Sequence, residues 1–163
     1  MTKPFYGDTV AQRMVSRLAW INDTAANTVG GDLALRLLHA DEQAGEYVLQ
    51  GSTVPYMRNV IGTLHGGSCA VLVDQAMGLV ANCLFDDDRH APTSQLQLNF
   101  HRPMVAGEDF VVRVHVVASG RTLIHTSAEV FAVKAPDKLC VSANAVFFRG
   151  SRADHRGNTT DEC

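Results

Sequence analysis

What the 163-residue chain lacks narrows its class before any motif is considered. Its four cysteines, Cys69, Cys83, Cys140 and Cys163, form no CxxC pair and have no histidine at metal-ligand spacing. His101, His115 and His125 fall in strand-like segments without a repeated interval, so no metal is expected, and no organic cofactor motif is present either. The Lys and Arg residues are scattered, the net charge is −3, and the basic stripe that a phosphate backbone requires is missing. No nucleic-acid partner is expected. The N-terminal stretch "MTKPFYGDTVAQRMVSRLAW" has no apolar core of the signal-peptide kind, which points to a cytoplasmic protein with reduced thiols. No apolar run reaches the ~20 residues of a membrane span. The candidate run, Cys69 to Phe85, covers 17 residues and is interrupted by Asp74, Gln75 and Asn82, so no membrane association is expected.

What is present reads as one soluble domain, 46% apolar and 19% charged. Val10, Met14 and Leu18 recur four apart behind Asp8 or Thr9, predicting a short amphipathic helix over 8–19 that packs on the outside of the core. "LALRLLHA" and "GEYVLQGST" read as two strands joined by the turn "DEQAG". An irregular loop, "VPYMRNVIGTLH", leads into a long helix predicted from Gly66 to Phe85, about 30 Å at the standard rise. Four β-rich runs follow, "TSQLQLNFHRP", "DFVVRVHVVAS", "RTLIHTSAEVFAV" and "LCVSANAVFF", with Ser119-Gly120 as a two-residue hairpin connection. That order is α+β with an antiparallel sheet. Residues 1–29 read as an N-terminal helix and linker, 30–149 as the domain, and 150–163 as a mobile polar tail.

One residue breaks the pattern. Asp74 places a carboxylate in a helix that is otherwise apolar or small all round, which is costly unless the charge is hydrogen-bonded or opens on a solvated cavity. A structural Asp bonded to the strands is one explanation; a general base or nucleophile in a cleft is the other. His65-Gly66-Gly67 opens the same helix, where backbone N–H groups lack intrahelical acceptors and the helix dipole favours developing negative charge. Gly66 and Asp74 are eight residues apart, about 12 Å along one helix. They can act on one carbonyl only if they come from different subunits, with two such helices antiparallel across a two-fold axis.

Asn59, "GTLHGG", "VLVDQAMG", the strand "TSQLQLNFHRP" and the pair "VVRVHVVASGRTLIHTSAEVF", in this order, resemble the hotdog-fold thioesterases. The similarity is to the group containing the phenylacetate-pathway (PaaI-like) thioesterase and human thioesterase superfamily member 2. It covers roughly residues 30–149. The resemblance implies a long central helix wrapped by an antiparallel sheet of five to six strands, homodimers assembling to homotetramers, and hydrolysis of an acyl-CoA substrate. It implies that Asp74 is the catalytic carboxylate, activating water or attacking directly, that the Gly66 N–H polarises the thioester carbonyl, and that Asn59 assists it. Thr93 matches a hydroxyl that helps hold the water. Each has a plainer reading: Asn59 as a loop stabiliser, Thr93 as an ordinary strand residue, His65 as a turn-positioning ring instead of an acid–base group. Arg121 after the hairpin fits either a CoA phosphate contact or a solvated charge; Arg89 is a weaker candidate of the same kind. Gln95 and His101-Arg102-Pro103 depart from the group's pattern and bear on packing and acyl preference. Met57, Leu72, Met77 and Phe85 read as core before they read as an acyl tunnel.

Two other functions compete with hydrolysis. A hotdog dehydratase or hydratase usually pairs a histidine with a carboxylate further along its helix, or places one five residues after the Asp, where this chain has Leu79. A non-catalytic acyl-CoA binding or regulatory module has no use for a carboxylate beside a thioester.

Overall fold

The alternation of Phe110, Val112 and Val114 with Val111, Arg113 and His115 dictates a strand with one face in the core, because successive side chains point to opposite sides of a sheet. In the computed structural model, which describes residues 7–24, 27–85 and 90–149, that segment is β4 (Asp109–Ser119). It joins β1 (Arg36–Asp41), β2 (Glu46–Ser52), β3 (Thr93–Phe100), β5 (Leu123–Ala132) and β6 (Leu139–Phe148). Every pairing is antiparallel, and the order across the sheet is β1-β2-β4-β5-β6-β3. β3 therefore bonds to β6 on one side and has a free outer edge among the described residues.

The long helix, α3 (Gly66–Cys83), lies on the inner face of this sheet. Leu72, Val73, Ala76, Met77 and Val80 are fully buried in one cluster with Phe110, Val112, Ile124, Val130 and Phe147. Each such Val, Leu, Ile or Phe contributes about 1.5–3 kcal/mol by leaving water, before the entropy of ordering is subtracted. Met57, Leu72, Met77 and Phe85 are all core residues.

The amphipathic N-terminal helix, α1 (Val10–Thr24), buries Met14 and Leu18 and runs five residues beyond the predicted end. Thr9 Oγ1 caps it by accepting from the Gln12 N–H at 3.2 Å. Arg13 Nε donates to the Cys83 carbonyl at 2.9 Å, placing a cation on the last, unsatisfied turn of α3.

Three local expectations are corrected. Residues 33–35 are not strand: a short helix, α2 (Val29–Asp32), precedes them, its N-terminus held by Thr28 Oγ1 accepting from the Gly31 N–H at 3.2 Å, and β1 begins only at Arg36. The β4–β5 connection has three residues, Gly120 to Thr122, closed by the Gly120 N–H donating to the Leu123 carbonyl at 2.9 Å. α3 ends at Cys83, two residues short of Phe85. The expected polar tail, 150–163, and Arg89 lie outside the described residues. No helix among the described residues is long and apolar enough to cross a membrane.

Candidate active site

Asp74 lies midway along α3 and is half-buried. Thr93 Oγ1 donates to its Oδ1 at 2.7 Å, and the carboxylate opens on a cavity of about 280 Å³ between α3, α1 and the start of β3. The cost of a charge on an apolar helix is thus met in two ways, by a hydrogen bond and by access to water.

Thr93 reaches Asp74 because β3 contains a bulge. Leu96 and Leu98 face the core, so strict period-two alternation would send Thr93 to the outer face with Gln95 and Gln97. Between Thr93 and Gln95 the register slips: Thr93 pairs with inward-facing Phe147 and Gln95 with its immediate neighbour Val146. The extra residue, Ser94, turns Thr93 toward the helix. Asn82, two turns past Asp74 on α3, pins the approach to this bulge. Its Nδ2 donates to the Gly78 carbonyl at 2.7 Å and its Oδ1 accepts from the Ala91 N–H at 3.0 Å.

The other end of α3 is built from backbone. His65 is its N-cap, with Nδ1 accepting from the Gly67 N–H at 2.9 Å, which leaves the ring proton of the neutral form on Nε2. The His65 carbonyl takes the Cys69 N–H at 3.0 Å, and the His65 N–H donates to the Met57 carbonyl at 2.9 Å. Among the described residues no group accepts from the Gly66 N–H. A Cβ at Gly66 would meet Phe100 Cζ at 3.5 Å, an ordinary contact, whereas one at Gly67 would press on His65 Nδ1 at 3.1 Å. A second cavity of about 330 Å³ lies over this terminus, lined by Gly66, Cys69, Phe100 and Arg102 among others. Burial pushes the Cys69 thiol up to about 11.

Asn59 is engaged in the loop before α3. Its Oδ1 accepts from the Ile61 and Thr63 N–H groups, each at 3.1 Å, and its Nδ2 donates to Thr63 Oγ1 at 2.8 Å. The turn closes through Gly62, whose φ of +89° suits glycine alone. Arg121 is exposed on the β4–β5 connection and lines neither cavity.

The structure therefore brings Asp74 together with Thr93 and sets His65 beside Gly66, in two separate places on one chain, while Asn59 holds the turn before His65. Arg17 and Ile21 of α1, Gln75 of α3 and His90 also line the Asp74 cavity and were not anticipated. The signal for Gln75 was its position beside Asp74 on the α3 stripe that continues through Gly78, Leu79 and Asn82. Among the described residues no three His, Cys, Asp or Glu side chains meet to hold a metal ion.

Comparison with known proteins bears on this arrangement. Residues 61–141, which contain Gly66, Asp74 and Thr93, match the Thioesterase superfamily. Acyl-coenzyme A thioesterase 13 from Homo sapiens is 36% identical over 102 residues, 61% of this chain and 65% of that protein. The match thus spans somewhat under two thirds of that relative's length. A variant of the phenylacetic acid degradation protein PaaI from Thermus thermophilus is 27% identical, with a TM-score of 0.59 over 71% of this chain and 92% of that one. A Streptococcus mutans protein solved with bound acetyl CoA is 22% identical, with a TM-score of 0.60 over 71% and 88% of the two chains. The α+β sheet around a central helix is the hotdog fold of these thioesterases.

Proposed function

We propose that this chain belongs to the thioesterase superfamily matched by residues 61–141 and is an acyl-CoA thioester hydrolase whose site forms between two subunits. The observation that carries this reading is the pair of separate half-sites: a carboxylate held by Thr93 at one cavity, and an uncapped Gly66 amide at another about 12 Å further along α3. A two-fold axis that sets two α3 helices antiparallel would bring the Gly66 of one subunit to the Asp74 of the other. The free edge of β3 supports such a dimer, since unpaired strand edges invite pairing. So do apolar groups beside it in the open: Phe100 is 59% exposed over Gly66, and Val60 and Ile61 stand out on the preceding turn. Assembly of two such dimers to a tetramer is the expected further step. The acetyl CoA bound by the Streptococcus relative supports a CoA thioester as the ligand. The free thiols of Cys69, Cys83 and Cys140 fit a reducing cytoplasmic compartment.

In this mechanism a water adds to the thioester carbonyl carbon as Asp74 takes one of its protons. Thr93 occupies one carboxylate oxygen and leaves the other for the proton. Negative charge gathers on the carbonyl oxygen, where the partner's Gly66 N–H and the helix terminus stabilise it. The carbon–sulfur bond then breaks, CoA leaves as thiolate, and the proton passes from Asp74 to sulfur. Direct attack by Asp74 would pass instead through a mixed anhydride; if water opens it at the Asp74 carbonyl, a single turnover in heavy-oxygen water labels Asp74 and leaves the product acid unlabelled, whereas direct water attack labels only the product. Asn59 acts by holding the loop that carries His65 and Gly66, and Arg121 is the proposed contact for CoA phosphates.

The test is release of CoA thiol from a panel of aryl and straight-chain acyl-CoA thioesters by wild type, Asp74→Ala and Asp74→Asn. Turnover by wild type with loss of at least about a hundredfold in both variants is expected. Binding of acyl-CoA without cleavage would replace the enzyme by a binding module.

A further inference from the structure

The cavity at Asp74 is closed on its far side by elements outside the matched residues 61–141. Arg17 and Ile21 come from α1, and Gly30 of α2 abuts the same wall. A Cβ at Gly30 would lie 3.2 Å from both Gln75 Nε2 and Ile21 Cγ2, so the absence of a side chain there is what gives the Gln75 amide its place. Among the described residues that amide has no hydrogen-bond partner, although Gln75 is half-buried and lines the cavity one residue from Asp74. Asn82, the other amide on this stripe, is occupied by Gly78 and Ala91. An unpaired amide facing a small cavity where Ile21, Leu79 and Pro92 alternate with polar groups, Arg17 and His90 among them, is suited to a ligand that brings its own polar atom. The volume, about 280 Å³, corresponds to about nine water molecules, which limits the group to a short one.

Building on the thioesterase reading, we infer that this α1–α3 cleft is the acyl pocket. Gln75 selects a short acyl group carrying a hydroxyl or carbonyl away from the thioester, and Ile21 sets the length. Hydrolysis puts the reacting carbonyl at Asp74, the thiol arm lies toward the open side where the partner docks, and the acyl group occupies the closed side. A plain alkyl chain of equal length fits the volume but leaves the amide desolvated and unpaired, and is disfavoured for that reason.

Non-hydrolysable thioether analogues test this without relying on turnover. Binding of a terminally hydroxylated hexyl-CoA thioether and of plain hexyl-CoA thioether is measured by calorimetry for wild type, Gln75→Leu, Gly30→Ala and Ile21→Ala, alongside hydrolysis of the matching thioesters. The expected result is about tenfold tighter binding of the hydroxylated analogue to wild type. That ratio falls close to one in Gln75→Leu and drops in Gly30→Ala, where the amide is displaced but retained. Ile21→Ala shifts the tolerated chain to greater length. Equal binding of the two analogues to wild type, a preference that survives Gln75→Leu, or no binding of either analogue overturns the inference. Intact binding preference with no thioester cleavage leaves the pocket standing and removes the hydrolase instead.

Discussion

The two ends of α3 solve different problems with different materials. At Asp74 the proposed reacting atom belongs to a side chain, and the fold supplies a hydroxyl and a cavity of mixed polar and apolar lining around it. At Gly66 the proposed donor is a backbone N–H, and the neighbouring side chains hold the backbone around it: His65 caps the next amide and Asn59 ties the preceding turn. The first end should be sensitive to side-chain chemistry at almost constant stability. The second should tolerate any change that keeps the backbone path, and should fail when the amide hydrogen is lost.

The largest expected effect is therefore at the carboxylate. Asp74→Asn keeps shape and hydrogen-bonding capacity, and should lower kcat by at least about a hundredfold with little change in melting temperature. Next comes Gly66→Pro, which removes the amide hydrogen at a position where proline is welcome. Gly66 is the first helical residue, and His65, at φ −64° and ψ 138°, already has the conformation a residue before proline prefers. The fold should survive while kcat drops on the order of a hundredfold, the usual cost of an oxyanion donor. Gly66→Ala, with its ordinary contact to Phe100, is the control that keeps the hydrogen. Thr93→Val should cost about tenfold in kcat through the lost bond to Asp74, and Thr93→Ser should recover most of it. An equal loss in Thr93→Ser would mean that packing of the methyl group matters and the hydroxyl does not.

The Gly66 end yields a smaller, thermal effect. Asn59→Ala removes three side-chain hydrogen bonds from the 59–63 turn, costing about 1–2 kcal/mol and roughly 2–8 °C in melting temperature. A loss of kcat well beyond what that loosening explains would move Asn59 from support into the chemistry. Smallest of all, Cys69 should react with alkylating agents only slowly at neutral pH. The thiol is buried, and with its pKa pushed up to about 11 by that burial its thiolate population appears only in strongly alkaline solution. Rapid alkylation at pH 7 would show that the cavity over Gly66 opens.

How much of this was legible in the sequence follows from the range of the forces involved. β4 and β6 were readable to the residue because their faces alternate over most of their length and turns bound them; the irregularities at 116–118 and 139–141 leave their ends unchanged. Asp74 stood out because a charge in an apolar helix demands a partner. The partner itself was harder. Thr93 was identifiable by resemblance, yet alternation along β3 points it the wrong way, and only a bulge, which depends on pairing with β6, turns it inward. Ser94 is the extra residue of that bulge. α2 was missed because four residues are too few to show a period. The contribution of α1 to the Asp74 cavity was equally hidden. Met14 and Leu18 reveal that α1 packs, but nothing local says that Arg17 and Ile21 then face the carboxylate. The side chains of Asn59 and His65, expected from the resemblance to assist the reaction, are engaged in holding the 59–63 turn and the Gly67 amide.

The central claim is that neither end works without the other end of a second subunit, and subunit mixing tests it most directly. Asp74→Asn and Gly66→Pro homodimers, each inactive alone, are unfolded and refolded together at equal concentration, and thioester cleavage is measured. If the site is shared, half the dimers are mixed and each carries one site with both native groups, so activity returns to about a quarter of wild type. If Asp74 and Gly66 act within one subunit, every site in every dimer still lacks one of them, and the mixture stays as inactive as its parts.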